Sequence, residues 1–216
     1  MIQTISRLQC LDRYRQFAHF EENNIMEGDS FFYPKAYSSY TITYKSATFE
    51  AHAALLEAEI AFLLQTSGYT SLLFLPNEDT PWLKDPGAAQ PATDAVDFLL
   101  EHGVIPSFDG CLKVSDISLP VFFRHLINMT HYLDDFPIVH FTDKAQNFMA
   151  NICSYGNIHI DILNPDLDVI FKDQMEKSKL EIIDGHVCEA TSNAFAGLKN
   201  KNTVQQLNTT SLPIRP

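Results

Sequence analysis

The chain has 216 residues, 45% hydrophobic and 19% charged, a globular composition long enough to bury about 70% of its unfolded surface without disulfide or metal staples. Its 27 acidic and 15 basic side chains leave a net charge of −12, a field that repels nucleic-acid phosphates and anionic membrane surfaces and favours a basic partner. The lysines and arginines are scattered with no basic stripe, which argues further against nucleic acid.

Residues 1–10 hold no apolar run, so no signal peptide is expected. Residues 6–22 predict a helix with a mixed stripe of Leu8, Leu11, Tyr14, Arg15 and Ala18, broken by residues 23–28. An aromatic zone follows: Phe31, Phe32, Tyr33, Tyr37, Tyr40 and Tyr44. Residues 40–44 alternate as a strand does. Exposed tyrosines make good interface anchors, so Tyr37 and Tyr40 are candidate partner contacts. The competing reading is core plus edge strand.

Residues 46–66 predict a helix with Leu56, Ile60, Leu63 and Leu64 on one face, ended by Gly68. It carries Glu57 and Glu59 and is too short to span a bilayer. Residues 72–75 form a continuous apolar run, the mark of a strand inside a sheet. Residues 76–91 read as a loop with four prolines and Gly87. It holds Trp82, the only tryptophan, among Glu78, Asp79 and Asp85. An acidic loop with one large aromatic is suited to grip a basic partner. Its competing reading is a covering loop with Trp82 tucked into the body. Thr93 to His102 predicts a helix closed by Gly103, with Val96, Leu99 and Leu100 buried, and a turn and short strand lead to Val114.

The clearest pattern lies in residues 116–163, read as helix, strand, helix, strand. Leu119, Phe122, Phe123, Leu126 and Ile127 form one helical stripe, with Ser115 or Ser118 as N-cap, Pro120 in the first turn and an end near Asp135 before Pro137. Residues 138–141 read as a short buried strand. Asp143 and Gln146 have capping-box spacing, Ala145, Phe148, Met149 and Ile152 have helical spacing, and Gly156 suits a helix end. Ile158, Ile160 and Ile162 then share one strand face, and His159 and Asp161 the other. The order suits a βαβ crossover or an antiparallel return with the helix across it.

Residues 164–166 predict a turn and residues 167–171 a strand or helix start. Residues 180–183 and 186–188 suggest a hairpin about Asp184-Gly185, and residues 190–198 a short helix. No linker divides the chain and no repeat recurs. Residues 1–198 therefore read as one α+β domain, with α/β as the alternative, in which helices pack on a small mixed sheet. Residues 199–216 read as a polar tail of disordered composition.

Cys10, Cys111, Cys153 and Cys188 are far apart, with no CxxC, and suggest reduced thiols in a cytoplasmic setting. Gly28-Asp29-Ser30 and Asp184-Gly185-His186 resemble the two ends of the GDS-type esterase family. That resemblance implies a serine nucleophile near the N-terminus and an Asp and His near the C-terminus. The chain departs from the family: its serine follows a polar stretch, one residue rather than two separates Asp184 from His186, and the Gly-x-Asn-Asp block is missing. No phosphate-binding glycine pattern occurs.

The functional expectation is an acidic cytosolic protein that binds a basic protein. Its sharpest version is an immunity protein or antitoxin that covers the active cleft of a basic toxin. Glu78, Asp79, Trp82, Asp85, Tyr37 and Tyr40 are the candidate contacts, and no cofactor is expected. The alternative is a hydrolase, metal-dependent or not, using His131, His140, His159 and Asp161. A third reading is a homo-oligomer joined through the aromatic zone.

Overall fold

The structure is a computed structural model and describes residues 1–21 and 30–184. In chain order the elements are β1 (Ile2–Ile5), α1 (Arg7–Arg13), β2 (His19–Glu21), β3 (Ser30–Phe32), β4 (Ser38–Thr43), α2 (Phe49–Ser67), β5 (Ser71–Pro76) and α3 (Gln90–Glu101). There follow β6 (Cys111–Ser115), a 3-10 turn, α4 (Leu119–Tyr132), β7 (Val139–Asp143), β8 (Phe148–Ile152), β9 (Ile158–Ile162), α5 (Pro165–Lys177) and β10 (Glu181–Asp184).

Among the described residues eight strands form one sheet in the order β1-β6-β5-β7-β8-β9-β4-β10, and every pair is antiparallel. The fold is α+β. The sheet is neither small nor mixed, which corrects that expectation and removes the α/β alternative. The run Leu72 to Leu75 lies inside the sheet as predicted, between β6 and β7. Leu72 and Phe74 face a layer made by α2, α3, α4 and α5. Leu73 and Leu75 face the other way, against Cys10, Tyr14 and Phe17 of α1 and the chain after it. Both faces of the sheet's middle are therefore covered.

That two-sided burial explains the largest misreading. Residues 145–152 are not a helix: Phe148 to Ile152 is strand β8, and β7, β8 and β9 form a meander with no crossover. Phe148, Ala150 and Ile152 pack under the helices, while Met149 packs under α1. Apolar residues on both faces erase the period of two and leave a false helical spacing. The Asp143 carboxylate, read as a helix cap, closes a tight turn instead. It accepts from the backbone N–H of Ala145 (3.2 Å) and Asn147 (2.7 Å) and from Asn147 Nδ2 (2.8 Å).

Gly156 closes the β8–β9 turn rather than a helix, with φ +81°. A Cβ there would stand 2.9 Å from His52 Cδ2, whose ring nitrogens lie 3.0 Å from the Tyr44 carbonyl and 3.1 Å from the Gly156 carbonyl. Gly156→Ala is expected to cost about 1–3 kcal/mol through the left-handed backbone and the displaced imidazole. Urea unfolding checks this, and an unchanged midpoint contradicts it.

The helix layer follows the sequence closely. All five predicted apolar side chains of α4 are buried, each adding about 2 kcal/mol by burial. The helix ends at Tyr132, three residues early, and Ser115 and Ser118 accept from the Met1 amino group instead of capping it. In α2, Leu56 and Ile60 are buried and Gly68 adopts the left-handed cap. Residues 165–177 resolve the strand-or-helix question as α5, capped by Asn164 Oδ1 on Asp166 N (3.0 Å). Asp168 pins α5 to the sheet, accepting from Ser38 Oγ (2.5 Å) and Tyr40 OH (2.7 Å) and pairing with Lys172 (2.8 Å). Burial pushes its carboxyl up, but these donors win and hold it near 2.

The N-terminal helix is shorter than predicted. Only Arg7–Arg13 is helical, and β2 starts at His19. Phe17 and Ala18 are wholly buried without being helical. Among the described residues no helix is long and apolar enough to cross a membrane. The expected second strand of the hairpin at 186–188, the helix at 190–198, the tail and Cys188 lie outside the described residues.

Candidate functional site

The loop after β5 leaves the sheet carrying its acids outward and its one large aromatic inward. Trp82 is fully buried; its Nε1 donates to Gly110 O at 2.8 Å and its backbone N–H to Phe108 O at 2.9 Å. Phe122 and Phe136 flank the indole, at 6.2 and 6.3 Å between ring centroids. Trp82 is thus the anchor of the loop and presents nothing to a partner, which corrects the first expectation. Tyr40 is corrected likewise: it is 5% exposed, lies against Phe171 and is tied to Asp168.

Glu78, Asp79 and Asp85 are exposed. Arg7 holds the start of the loop, donating to the carbonyls of Pro76 (2.8 Å), Asn77 (3.0 Å) and Glu78 (3.1 Å) and ion-pairing with Asp79. Asp85 Oδ1 accepts from Gly87 N at 3.0 Å. The loop then enters α3, whose Ala92, Ala95 and Leu99 are buried. The expected Val96 and Leu100 are not: Val96 is half-buried and Leu100 is 45% exposed.

The outer face of α3 went unread in the sequence. Gln90, Asp94, Asp97 and Glu101 are exposed and fall at i, i+4, i+7 and i+11, one stripe of the helix. That spacing was the available signal. Residues 78–109 hold seven acids and one lysine, a net −6 of the chain's −12. Among the described residues, Glu78, Asp85, Asp94, Asp97, Glu101 and Asp109 make no ion pair with Lys, Arg or His. Beside these acids stand two exposed apolar side chains, Leu100 and Ile105, the latter 59% exposed.

Tyr37 is 61% exposed but lies elsewhere. Pro76 shares a row across the sheet with Ile42, through Val139, Ile152 and Ile158. Tyr37 lies beyond the far end of β4, so the fold does not bring it to the acidic loop.

The second candidate set is split by the sheet. His131 lies in the helix layer, stacked on Phe49 (3.6 Å), with Nδ1 2.8 Å from Ser154 O. His140, His159 and Asp161 lie on the opposite face, on β7 and β9. Asn151 of β8 stands between the histidines in register, which puts their Cα atoms about 10 Å apart. Thr41 Oγ1 lies 3.3 Å from His159 Nδ1. Asp161 accepts from Tyr33 OH and Ser39 Oγ, both at 2.5 Å.

This polar row is closed over. His140 is 4%, His159 9% and Asp161 1% exposed, and the Phe31 and Tyr33 rings lie 6.3 and 5.7 Å from His140. The Tyr33 hydroxyl end turns inward, and burial with the Asp161 charge pushes the phenol far above its ordinary range. Burial holds His140 down to about 4 against the pull of Asp161, and among the described residues its Nδ1 has no hydrogen-bond partner. Among the described residues no three His, Cys, Asp or Glu side chains gather as a metal ion requires. Of the esterase-like triplets, Gly28, Asp29, Gly185 and His186 lie outside the described residues.

Comparison with protein-family models, curated proteins and solved structures finds no match for the chain.

Proposed function

We propose that the chain is a binding protein which receives a basic protein on the face formed by residues 77–89 and the outer side of α3. The observation that carries this reading is the concentration of charge: half the net charge falls within residues 78–109. Those acids are rooted rather than loose, because Trp82 and Arg7 fix the loop. Like charges held together repel, and a basic partner relieves that repulsion on docking. Leu100 at the end of α3 and Ile105 just after it are exposed and supply apolar contact area. The sharpest form of the proposal is an immunity protein or antitoxin that occludes a basic toxin.

The experiment is capture from native lysate, wild type against the triple variant Asp94→Lys/Asp97→Lys/Glu101→Lys. The expected result is a basic protein retained by the wild type and lost by the variant, with the unfolding midpoint unchanged. Equal retention by both, or retention of nothing basic, contradicts the proposal.

The hydrolase reading keeps one observation in its favour, the shared face of His140, His159 and Asp161, on which His140 Nδ1 has no partner among the described residues. Its cost is access, since all three are buried. Metal content of the purified protein and turnover of generic ester substrates test it.

A further inference from the structure

The short helix α1 is fixed at two points one turn apart. At its start Arg7 grips the backbone of Pro76, Asn77 and Glu78. One turn on, Cys10 is wholly buried in the same core cluster as the equally buried Cys111, close enough for the two thiols to bear on each other. Backbone pairing sets this meeting. Ile5 of β1 is in register with Cys111 of β6, and four residues separate Ile5 from Cys10. Tyr14, Phe17, Leu73, Leu75 and Met149 enclose the pair. Both cysteines are free, and neither has a part in the docking face. Wholly enclosed, they are out of reach of any large substrate.

We propose that Cys10 and Cys111 form a redox pair that closes to a disulfide with hydrogen peroxide as oxidant. Closure ties α1 to the sheet and fixes Arg7 on the start of the acidic loop. The Cys10 thiolate attacks one peroxide oxygen, the O–O bond breaks, and the departing hydroxide takes up the thiol's proton as water. The sulfur left behind is a sulfenic acid. The Cys111 sulfur then attacks that sulfur, the S–O bond breaks, and the hydroxide leaves as water with the Cys111 proton. Two thiols and one peroxide give one disulfide and two waters, with two electrons passed from sulfur to oxygen. The neighbouring Cys10 thiol, with burial, pushes the Cys111 thiol well above its ordinary range, so Cys111 keeps the proton that leaves with the hydroxide in the second step. Peroxide is close to water in size, and a seven-residue helix opens locally at small cost. The bond closes a loop of about 100 residues, a length at which a cross-link restricts the unfolded chain strongly. The effect on the acidic loop rests on the docking face proposed above; the disulfide does not.

The test treats the full chain with increasing peroxide, blocks remaining thiols, and maps peptides without reduction. The expected result is a linked pair of peptides carrying Cys10 and Cys111, released by dithiothreitol. With it come a higher Tm and several-fold slower hydrogen exchange at residues 77–80. The rise in Tm is absent from both Cys10→Ala and Cys111→Ala, and the wild-type map stands without them should either fail to fold. Sulfinic or sulfonic acid at either position without the link, a link from either to Cys153 or Cys188, or two thiols still unreacted overturns the pair. A formed link with unchanged exchange at 77–80 overturns the lock on the acidic loop and leaves the docking face untouched.

Discussion

Replacing Trp82 with alanine is expected to lower the unfolding free energy by about 3–5 kcal/mol. The indole is fully buried between Phe122 and Phe136, so truncation leaves a large cavity that the loop alone can fill. It also strands the Gly110 carbonyl, which accepts from Nε1 at 2.8 Å. Trp82→Phe keeps an aromatic ring but removes the donor and leaves a smaller cavity, at an expected cost of about 1–3 kcal/mol. Urea unfolding of the two variants measures both. A loss below about 1 kcal/mol for Trp82→Ala would mean the loop is held by something other than its tryptophan. The functional consequence follows from position, since Glu78, Asp79 and Asp85 ride on this loop and lose their fixed spacing with it.

Stability is expected to fall as pH drops from about 6.5 to about 4, the range between the ordinary histidine value and that of buried His140. In that window the unfolded chain binds a proton at this position and the folded chain does not, so acid favours unfolding. The stabilisation is complete above 6.5 and lost on the way down to 4, a change of roughly 3 kcal/mol for a shift of this size. The physical reason is burial: a protonated ring would place its charge out of water, with an Nδ1–H that has no acceptor among the described residues. His125 acts in the same direction. Burial first, then Arg124, holds it down to about 4, and its Nδ1 also lacks a partner among the described residues. His140→Gln removes one of the two titrating groups and should reduce, with His125 left, the dependence of the urea midpoint between pH 7 and pH 4.5. An unchanged slope in that variant would place the acid sensitivity elsewhere.

What the sequence made legible was whatever had one buried side. Leu119 to Ile127 face a single layer, so their helical spacing survived intact and predicted α4. Gly68 sits where only backbone geometry matters, and a left-handed cap is a local property. Phe148 to Ile152 failed because Met149 serves a different core from its neighbours, so the pattern describes two environments at once. Strand order is invisible for a related reason. The alternation of His159 and Asp161 against the isoleucines was plain, but no local signal says that β8 separates them from His140. Trp82 stood out as the lone tryptophan of an acidic loop, yet a loop has no period from which to read direction. The acids of α3 were readable at their spacing and were passed over for the louder loop beside them.

The most direct measurement of the docking face is the association rate of the retained basic protein as a function of salt. A partner steered by the acids of α3 should associate about tenfold or more slowly at high ionic strength than at low, and Asp94→Lys/Asp97→Lys/Glu101→Lys should abolish that dependence without shifting the unfolding midpoint. A rate indifferent to salt, or one that the triple variant leaves as it was, contradicts the claim that this face is where the protein works.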